Sequence, residues 1–131
     1  MVSLIQILNI FKVKRFLIVG PAGSNRREHC KKLAETFKLN VIETGALLKL
    51  EVQKKTDLGA KIQEAFDKHE YVPDQVVCDV LKKRVNECEK ENKDFIIEGF
   101  PRTKVQALQL NELGIIPDKI ILLPASEEAQ A

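Results

Sequence analysis

Residues 16–28 decide the fold, and they read Phe-Leu-Ile-Val-Gly-Pro-Ala-Gly-Ser-Asn-Arg-Arg-Glu. The first five residues form a short apolar run that ends in glycine, which is typical of a buried strand in a parallel sheet. A turn-rich loop follows this run. Beyond the loop, apolar residues recur with the spacing of an amphipathic helix, at Cys30, Leu33, Ala34 and Phe37. The stretch therefore predicts a strand, a loop and a helix in succession.

The same alternation continues along the chain. Apolar runs predict three more strands, at residues 41–43, 95–97 and 119–123. Between them, helical spacing predicts helices near 45–55, 58–66, 73–88 and 103–113. Thr103 and Gln106 have the spacing of a capping box at the start of the last helix, and Gly114 is the expected C-terminal cap. Strands that alternate with helices predict a three-layer α/β fold with a parallel sheet.

Composition excludes several classes of protein. The chain has 131 residues, which is the length expected of a single domain. Its net charge of +2 is too small to predict general binding to nucleic acid. Its three cysteines form no Cys-x-x-Cys pair, so neither a disulfide framework nor a zinc knuckle is expected. No apolar run is long enough to cross a bilayer. His29 and His69 have no partners at metal-ligand spacing, so we predict no metal site.

The two ends of the chain differ from the middle. Residues 1–12 alternate large apolar residues with polar ones at every third position, which predicts either a short docking helix or a strand-like or poorly ordered leader. We therefore divide the chain into a leader (1–12) and a domain (13–131). The fourth strand has no obvious cover, so residues Ile120 to Leu123, together with residues 1–11, are expected to contact a protein partner.

The loop after the first strand is the expected place for a phosphate group. A phosphate-binding loop has the pattern Gly-x-x-x-x-Gly-Lys-Ser/Thr, in which backbone N–H groups and a helix N-terminus surround the phosphates. Here asparagine replaces the second glycine and arginine replaces the lysine. The pattern thus fails as a string, although its strand and helix are in place. The candidate residues are Gly20, Gly23, Ser24, Asn25, Arg26, Arg27 and Glu28.

Two further strings carry a resemblance to a known family. Residues 44–49 read Thr-Gly-Ala-Leu-Leu-Lys, and residues 98–102 read Glu-Gly-Phe-Pro-Arg, with Gln-Ala at 106–107. Over about residues 15–125 the chain resembles the adenylate kinases and the related nucleoside monophosphate kinases. The resemblance implies a P-loop fold with four parallel strands in the order 2-3-1-4 and helices on both faces. It also implies that the helices of about residues 44–74 bind the monophosphate.

The resemblance implies a site for AMP better than one for ATP. Arg102 matches a family arginine that contacts phosphate, Gln106 matches a glutamine that reads adenine, and Lys49 replaces a second arginine. An alternative is that Arg102 only pairs with a carboxylate such as Glu98. In the loop, Glu28 places a carboxylate where an anion would bind, so ATP with magnesium is not expected. The implied AMP residues are Thr44, Gly45, Lys49, Val72, Gly99, Arg102 and Gln106.

The departures from the family shape the expected function. The family's chain continues into a mobile lid with catalytic arginines and into a fifth strand, both of which we expect to be absent here. We therefore expect a non-catalytic, adenylate-kinase-like module that acts as an interaction subunit, with Arg26 in the lysine position and no assigned catalytic residue. Family analogy suggests a cytoplasmic protein of a cilium or flagellum. The alternatives are a monophosphate kinase with its lid supplied elsewhere and an AMP sensor without turnover.

Overall fold

Four parallel strands form one sheet in the computed structural model, which describes residue 4, residues 13–21 and residues 23–124. The strands are β1 (Arg15–Val19), β2 (Asn40–Glu43), β3 (Phe95–Glu98) and β4 (Lys119–Leu122), in the order β2-β3-β1-β4. The predicted order 2-3-1-4 is therefore confirmed. The predicted leader over residues 1–12 lies outside the described residues, apart from residue 4.

Within residues 13–21 and 23–124, five helices connect or flank these strands. They are α1 (Arg26–Phe37), α2 (Thr44–Gln53), α3 (Asp57–Asp67), α4 (Asp74–Lys90) and α5 (Lys104–Glu112). Each lies within a few residues of its predicted position. Within the described part of the chain, none of these helices has the length and hydrophobicity that crossing a bilayer requires.

The helices cover both faces of the sheet, which gives the predicted three layers. On one face, Phe16 and Ile18 of β1 pack against Cys30 and Ala34 of α1. Phe37, the last residue of the predicted apolar stripe, is half exposed, with its ring 5.7 Å from that of Phe16. Phe37 is the last residue of α1, and about half of its surface remains in contact with solvent.

The opposite face of the sheet holds the larger part of the core. Leu17 of β1 and Ile97 of β3 point to this side, where α4 contributes Val77, Leu81 and Val85. Successive residues of a strand point to opposite faces, which is why Leu17 and its neighbour Ile18 belong to different clusters. All four residues of β3 are buried, as expected for an inner strand with helices on both sides.

The register of the sheet brings the ends of three strands together. Ile18 of β1 pairs with Glu98 of β3, and Glu98 pairs with Glu43 of β2. The loops that follow these strands therefore leave the sheet at the same edge. In open parallel sheets this edge is where ligands bind.

The start of α5 is capped much as predicted. The Thr103 side chain accepts a hydrogen bond from the backbone N–H of Gln106 at 3.1 Å. The return bond of a capping box is shifted by one residue, because the Gln106 side chain accepts the N–H of Arg102 rather than that of Thr103. Gly114 follows the helix with φ 72°, as expected for a C-terminal cap.

The connection between α2 and α3 is a tight turn held by buried polar groups. The carboxylate of Glu51, which is only 6% exposed, accepts a hydrogen bond from the Thr56 hydroxyl and pairs with the Lys83 ammonium at 3.1 Å. Thr56 also caps α3 by accepting the N–H of Gly59 at 3.0 Å. The backbone of Gly59 lies so close to the backbone of Glu51 and Val52 that a Cβ atom at position 59 would overlap it.

Replacing Gly59 with alanine is expected to destabilise the protein by about 1–3 kcal/mol, because the added methyl group forces α2 and α3 apart. Gly45, which is also helical, provides the matched control, since a Cβ there would meet nothing within 4 Å. Urea unfolding of the two variants measures the difference. Equal stability of Gly59→Ala and Gly45→Ala would contradict the close approach.

The stability of the fold is expected to depend on the ionisation of Glu51. The hydrogen bond from Thr56 and the pairing with Lys83 hold the pKa of this carboxyl below its ordinary value. Its contribution to stability is therefore complete above the pKa of the unfolded chain and is lost as the pH falls through the lower pKa of the folded chain. Glu51→Gln should be less stable than wild type at pH 7, and the gap should narrow below about pH 4.

Urea unfolding at about pH 7 and about pH 3 measures this gap. Glu64→Gln is the control, because Glu64 forms an exposed pair with Lys68 that contributes little. A difference between wild type and Glu51→Gln that is the same at both pH values would contradict the assignment.

Candidate functional site

A cavity of about 660 Å³ opens where the loops leave the sheet. It lies between helices α2, α3 and α4 and the segment after β3. Its volume is that of an ordinary small-molecule site. Its walls come from the start of α2, the end of α3, the start of α4 and the 99–106 segment. The lining residues are Thr44, Gly45, Leu48, Phe66, Glu70, Tyr71, Val72, Asp74, Val77, Gly99, Arg102, Thr103 and Gln106.

The cavity gathers most of the residues that the sequence predicts for AMP. The exception is Lys49, which is exposed on α2 and does not line the cavity. The residues of α2 that line the cavity are Thr44, Gly45 and Leu48. Lys49 follows Gly45 by one turn and lies about 40° further around the helix, at the margin of this face, with its side chain exposed. The six predicted residues that line it are Thr44, Gly45, Val72, Gly99, Arg102 and Gln106. Their role in binding stays a prediction.

Arg102 lines the cavity, and most of its side-chain donors have no partner within the described part of the chain. Its Nε donates to the carbonyl of Gly99 at 3.0 Å, which fixes the direction of the guanidinium group. Among the described residues, no carboxylate lies within ion-pair distance of it, so the suggested pairing of Arg102 with Glu98 is wrong. The reason is that Glu98 already pairs with Arg26. The terminal nitrogens of Arg102 can therefore form the forked contact that suits a phosphate.

Gln106 is buried and held in a fixed orientation. Its side-chain oxygen accepts the N–H of Arg102 at 2.8 Å, and its amide nitrogen donates to Asp74 at 3.0 Å. The Thr103 hydroxyl donates to the same carboxylate oxygen at 3.2 Å. Asp74 thus joins the start of α4 to the start of α5. The sequence predicted that Asp74 and Thr103 lie at the starts of helices, but it did not predict that they orient the Gln106 side chain.

The turn after β3 requires glycine at position 99. Gly99 has φ 87°, a conformation that a side chain would strain, and a Cβ atom there would lie 3.4 Å from the Arg102 guanidinium. The next peptide bond but one, between Phe100 and Pro101, is cis. Thr44 supports the turn from α2, because its hydroxyl donates to the carbonyl of Glu98 at 3.0 Å. The turn therefore connects the cavity directly to the end of β3.

Part of the cavity wall is apolar and aromatic. Leu48, Phe66, Val72 and Val77 contribute to it, and Tyr71 adds an aromatic ring that is 97% exposed. A planar base can stack on or lie against such surfaces. The sequence analysis did not select Phe66 or Tyr71. Phe66 belongs to the apolar stripe of α3, and only the tertiary structure shows that it borders the cavity.

The loop after β1 has the backbone of a phosphate loop but different side chains. Gly23 has φ 86° and Asn25 has φ 55°, so asparagine takes a left-handed conformation where the family has glycine. Asparagine adopts this conformation more readily than most residues, which explains how the substitution is tolerated. Helix α1 begins directly afterwards, with no side-chain cap on its first turn.

The two arginines at the end of this loop pair within the protein. Arg26 donates from Nε to the carboxylate of Glu98 at 2.7 Å and from Nη1 to the carbonyl of Gly20. Arg27 is exposed and lies 3.4 Å from Glu43. Glu28 is exposed, pairs with neither arginine among the described residues and lines the cavity at the loop, so its suggested place at an anion site stays a prediction. The carboxylate that pairs with Arg26 is Glu98, which comes from a different strand.

The cysteines on the core faces of α1 and α4 have raised thiol pKa values. Burial, followed by the charges of Glu98 and Glu43, raises the pKa of the Cys30 thiol to about 11. Burial likewise raises the pKa of Cys78 to about 11. Neither thiol is therefore a nucleophile near neutral pH. Over residues 13–21 and 23–124, no three histidine, cysteine or acidic side chains lie together as metal ligands would.

Comparison with known proteins agrees with this architecture. The family model described as adenylate kinase matches residues 18–130. An adenylate kinase of Archaeoglobus fulgidus is 40% identical over 97 residues, which are 74% of this chain and 44% of that protein. An adenylate kinase of Trypanosoma brucei rhodesiense is 32% identical over 114 residues, which are 87% of this chain and 54% of that protein.

A third relative is a mouse (Mus musculus) protein named Adenylate kinase 8, which is 36% identical over 109 residues. Those residues are 83% of this chain but only 23% of the mouse protein. This chain spans about half the length of the microbial relatives it matches. The family model covers nearly all of the chain, and the order of the strands is the one that the resemblance implied. The chain therefore belongs to the adenylate kinase family.

Proposed function

We propose that this chain is an adenylate-kinase-like module that binds AMP in the 660 Å³ cavity and does not itself transfer phosphate. The observation that carries the proposal is the contrast between two arginines at one edge of the sheet. Arg102 has free terminal donors in the cavity, whereas Arg26 is paired with Glu98. The monophosphate side is thus ready for an anion, and the loop that would hold a triphosphate is not.

The cavity supports each part of an AMP molecule. The uncommitted donors of Arg102 suit the phosphate, and the apolar and aromatic residues of the wall suit the purine ring. Gln106, which also lines the cavity, retains one amide N–H and one oxygen lone pair, because it uses one of each in its bonds with Arg102 and Asp74. It can therefore read a base that presents a neighbouring donor and acceptor, as adenine does.

The proposal that the module is non-catalytic rests on what phosphoryl transfer needs. The reaction depends on cationic groups that neutralise the transferred phosphoryl group. Arg26, which stands in the lysine position, has its charge neutralised by a carboxylate that is 3% exposed. The competing proposal is a complete kinase in which another segment or chain supplies the missing cations.

Calorimetric titration with AMP tests the monophosphate site. Wild type is expected to bind AMP, and Arg102→Ala is expected to bind it at least about tenfold more weakly, because a charge-assisted contact to phosphate contributes about 1.5–3 kcal/mol. Arg84→Ala is the matched control, since Arg84 pairs with Glu87 on the outside of α4. Equal affinity of the Arg102→Ala and Arg84→Ala variants would contradict the proposed site.

A second titration, with ATP and magnesium, separates the module from the enzyme. The module is expected to bind AMP without responding to ATP, and to form no ADP from the mixture. Formation of two ADP from ATP and AMP, abolished by Arg102→Ala, would establish the kinase instead. If neither nucleotide binds, the structural role alone remains.

We further propose that the module associates through β4. In the described sheet β4 is an edge strand, and Ile120 and Leu122 are 57% and 74% exposed. Both point to the face of Leu17, whereas Ile121 and Leu123 pack partly against the α1 side. The exposed apolar surface is thus narrower than the predicted run from Ile120 to Leu123.

The partner that we propose for this edge is a second copy of the chain. Antiparallel pairing of two β4 strands centred on Ile121 would set Ile120 of one copy opposite Leu122 of the other. It would also keep the two Lys119 side chains apart. An edge of this kind exposes unpaired backbone groups that another strand can satisfy. A cytoplasmic location in a cilium or flagellum stays a proposal by family analogy.

Sedimentation equilibrium of the purified chain tests this association. Wild type is expected to form dimers, and the double variant Ile120→Lys with Leu122→Lys is expected to be monomeric, because like charges would face each other across the new edge. Val41→Lys on β2, the other edge strand, is the matched control and should still dimerise. A wild-type chain that stays monomeric at high concentration would contradict the proposal.

A further inference from the structure

The side chain of Arg26, the first residue of α1, spans the loop after β1. The guanidinium group of Arg26 reaches from the start of α1 to the carbonyl of Gly20 at the start of the loop and to the carboxylate of Glu98 at the end of β3. Three different segments therefore meet at this one side chain. The contact joins residues that are 72 positions apart in the sequence.

We propose that Arg26 is a built-in occupant of the phosphate loop, held there by Glu98, and that this pair keeps triphosphates out. In loops of this kind an anion is bound at the helix N-terminus by backbone N–H groups and by a cationic side chain. Here the cationic side chain is directed to an internal carboxylate instead. The pair acts as an autoinhibitory contact that the loop's backbone alone does not reveal.

Burial makes the pair persistent. The side chain of Glu98 is 4% exposed and that of Arg26 is 25% exposed. A buried carboxylate that loses its partner is strongly unfavourable, so Arg26 cannot leave Glu98 without a large cost. A phosphate that entered the loop would have to draw Arg26 away and would also meet the negative charge of Glu98.

The position of Arg26 adds a steric argument. One cavity of about 430 Å³ is lined by Pro21 and residues 23–28. A second cavity of about 470 Å³ is lined by the ends of the loop and by Arg102. Arg26 and Pro21 line both cavities, so Arg26 lies where the two cavities meet. A triphosphate that extended from the loop towards Arg102 would contact the Arg26 side chain.

The Ser24 hydroxyl favours the opposite interpretation, in which the loop binds phosphate. The hydroxyl of Ser24 is buried and has no hydrogen-bond partner among the described residues. It lies beside Gly20, where it could donate to a bound phosphate. If the loop is a working phosphate site, Ser24 and Arg26 should both contribute to the affinity. If Arg26 is the occupant, neither should matter in the wild type.

Thermal unfolding of a double-mutant cycle measures the pair. Arg26→Met is expected to lower the melting temperature by roughly 10 °C or more, because it leaves Glu98 buried and unpaired. Adding Glu98→Gln to Arg26→Met should recover much of this loss. Losses that simply add would mean that the two side chains are not coupled, which would overturn the proposal.

Calorimetric titration with inorganic tripolyphosphate measures the exclusion. Wild type is expected to show no binding at millimolar concentration, and Glu98→Gln is expected to bind at least about tenfold more tightly, since it frees Arg26 for the anion. The double variant Arg26→Met with Glu98→Gln should lose this gain. Glu43→Gln is the matched control, because it removes a carboxylate from the neighbouring strand, where the partner is the exposed Arg27.

Two results would overturn the exclusion. One is tight binding of tripolyphosphate by wild type that Arg26→Met or Ser24→Ala weakens, because Arg26 would then be a phosphate ligand. The other is a Glu98→Gln variant that gains nothing over Glu43→Gln. The inference rests on the non-catalytic part of the proposed function, because both use the Arg26–Glu98 pair. Neither result depends on AMP, so the inference can fail while the proposed AMP site stands, and the AMP site can fail while the inference stands.

Discussion

A buried carboxylate must be paired, and at the end of β3 this requirement shapes the whole site. The Glu98 side chain is removed from water by helices on both faces of the sheet, so it needs a cation close by. Arg26 supplies it from the start of α1. The backbone carbonyl of the same residue accepts the Thr44 hydroxyl from the start of α2. One residue thus fixes the loop after β1 and the cavity beside α2 relative to each other.

This arrangement makes the two halves of the site unequal. On the monophosphate side, the polar groups hold one another and leave donors over: Gln106 is oriented by Arg102 and Asp74, and Arg102 keeps its terminal nitrogens free. On the loop side, the Arg26 guanidinium is already paired with the Glu98 carboxylate. Each half has a residue with a positive φ angle at its turn, Gly99 on one side and Asn25 on the other. What differs is where each guanidinium group finds its counter-charge.

Much of the fold could be read from local patterns. The apolar run before Gly20, the helical spacing after it and the capping residues at Thr103 placed the elements to within a few residues. The order of the strands came from the resemblance at residues 44–49 and 98–102, since local patterns do not say which strands are neighbours. Six of the seven residues predicted for AMP line one cavity, whereas Lys49 lies at the margin of the cavity-lining face of α2 and is exposed. Phe66, Asp74 and Glu98 gained their roles only from the packing of distant segments.

The sequence by itself determined the helices and strands, their order along the chain and the family. Hydrophobic periodicity, turn residues and short motifs are local features, so they can be recognised without knowing which residues are in contact. It also showed that the phosphate loop had changed. Only the tertiary structure decided what that change means. A charged side chain pairs with whatever counter-ion the fold brings near it, and Arg26 meets Glu98, 72 residues away, because parallel pairing aligns the ends of β1 and β3. From the sequence, the carboxylate expected near this loop was Glu28, two residues along the same helix, but the carboxylate that pairs with Arg26 is Glu98.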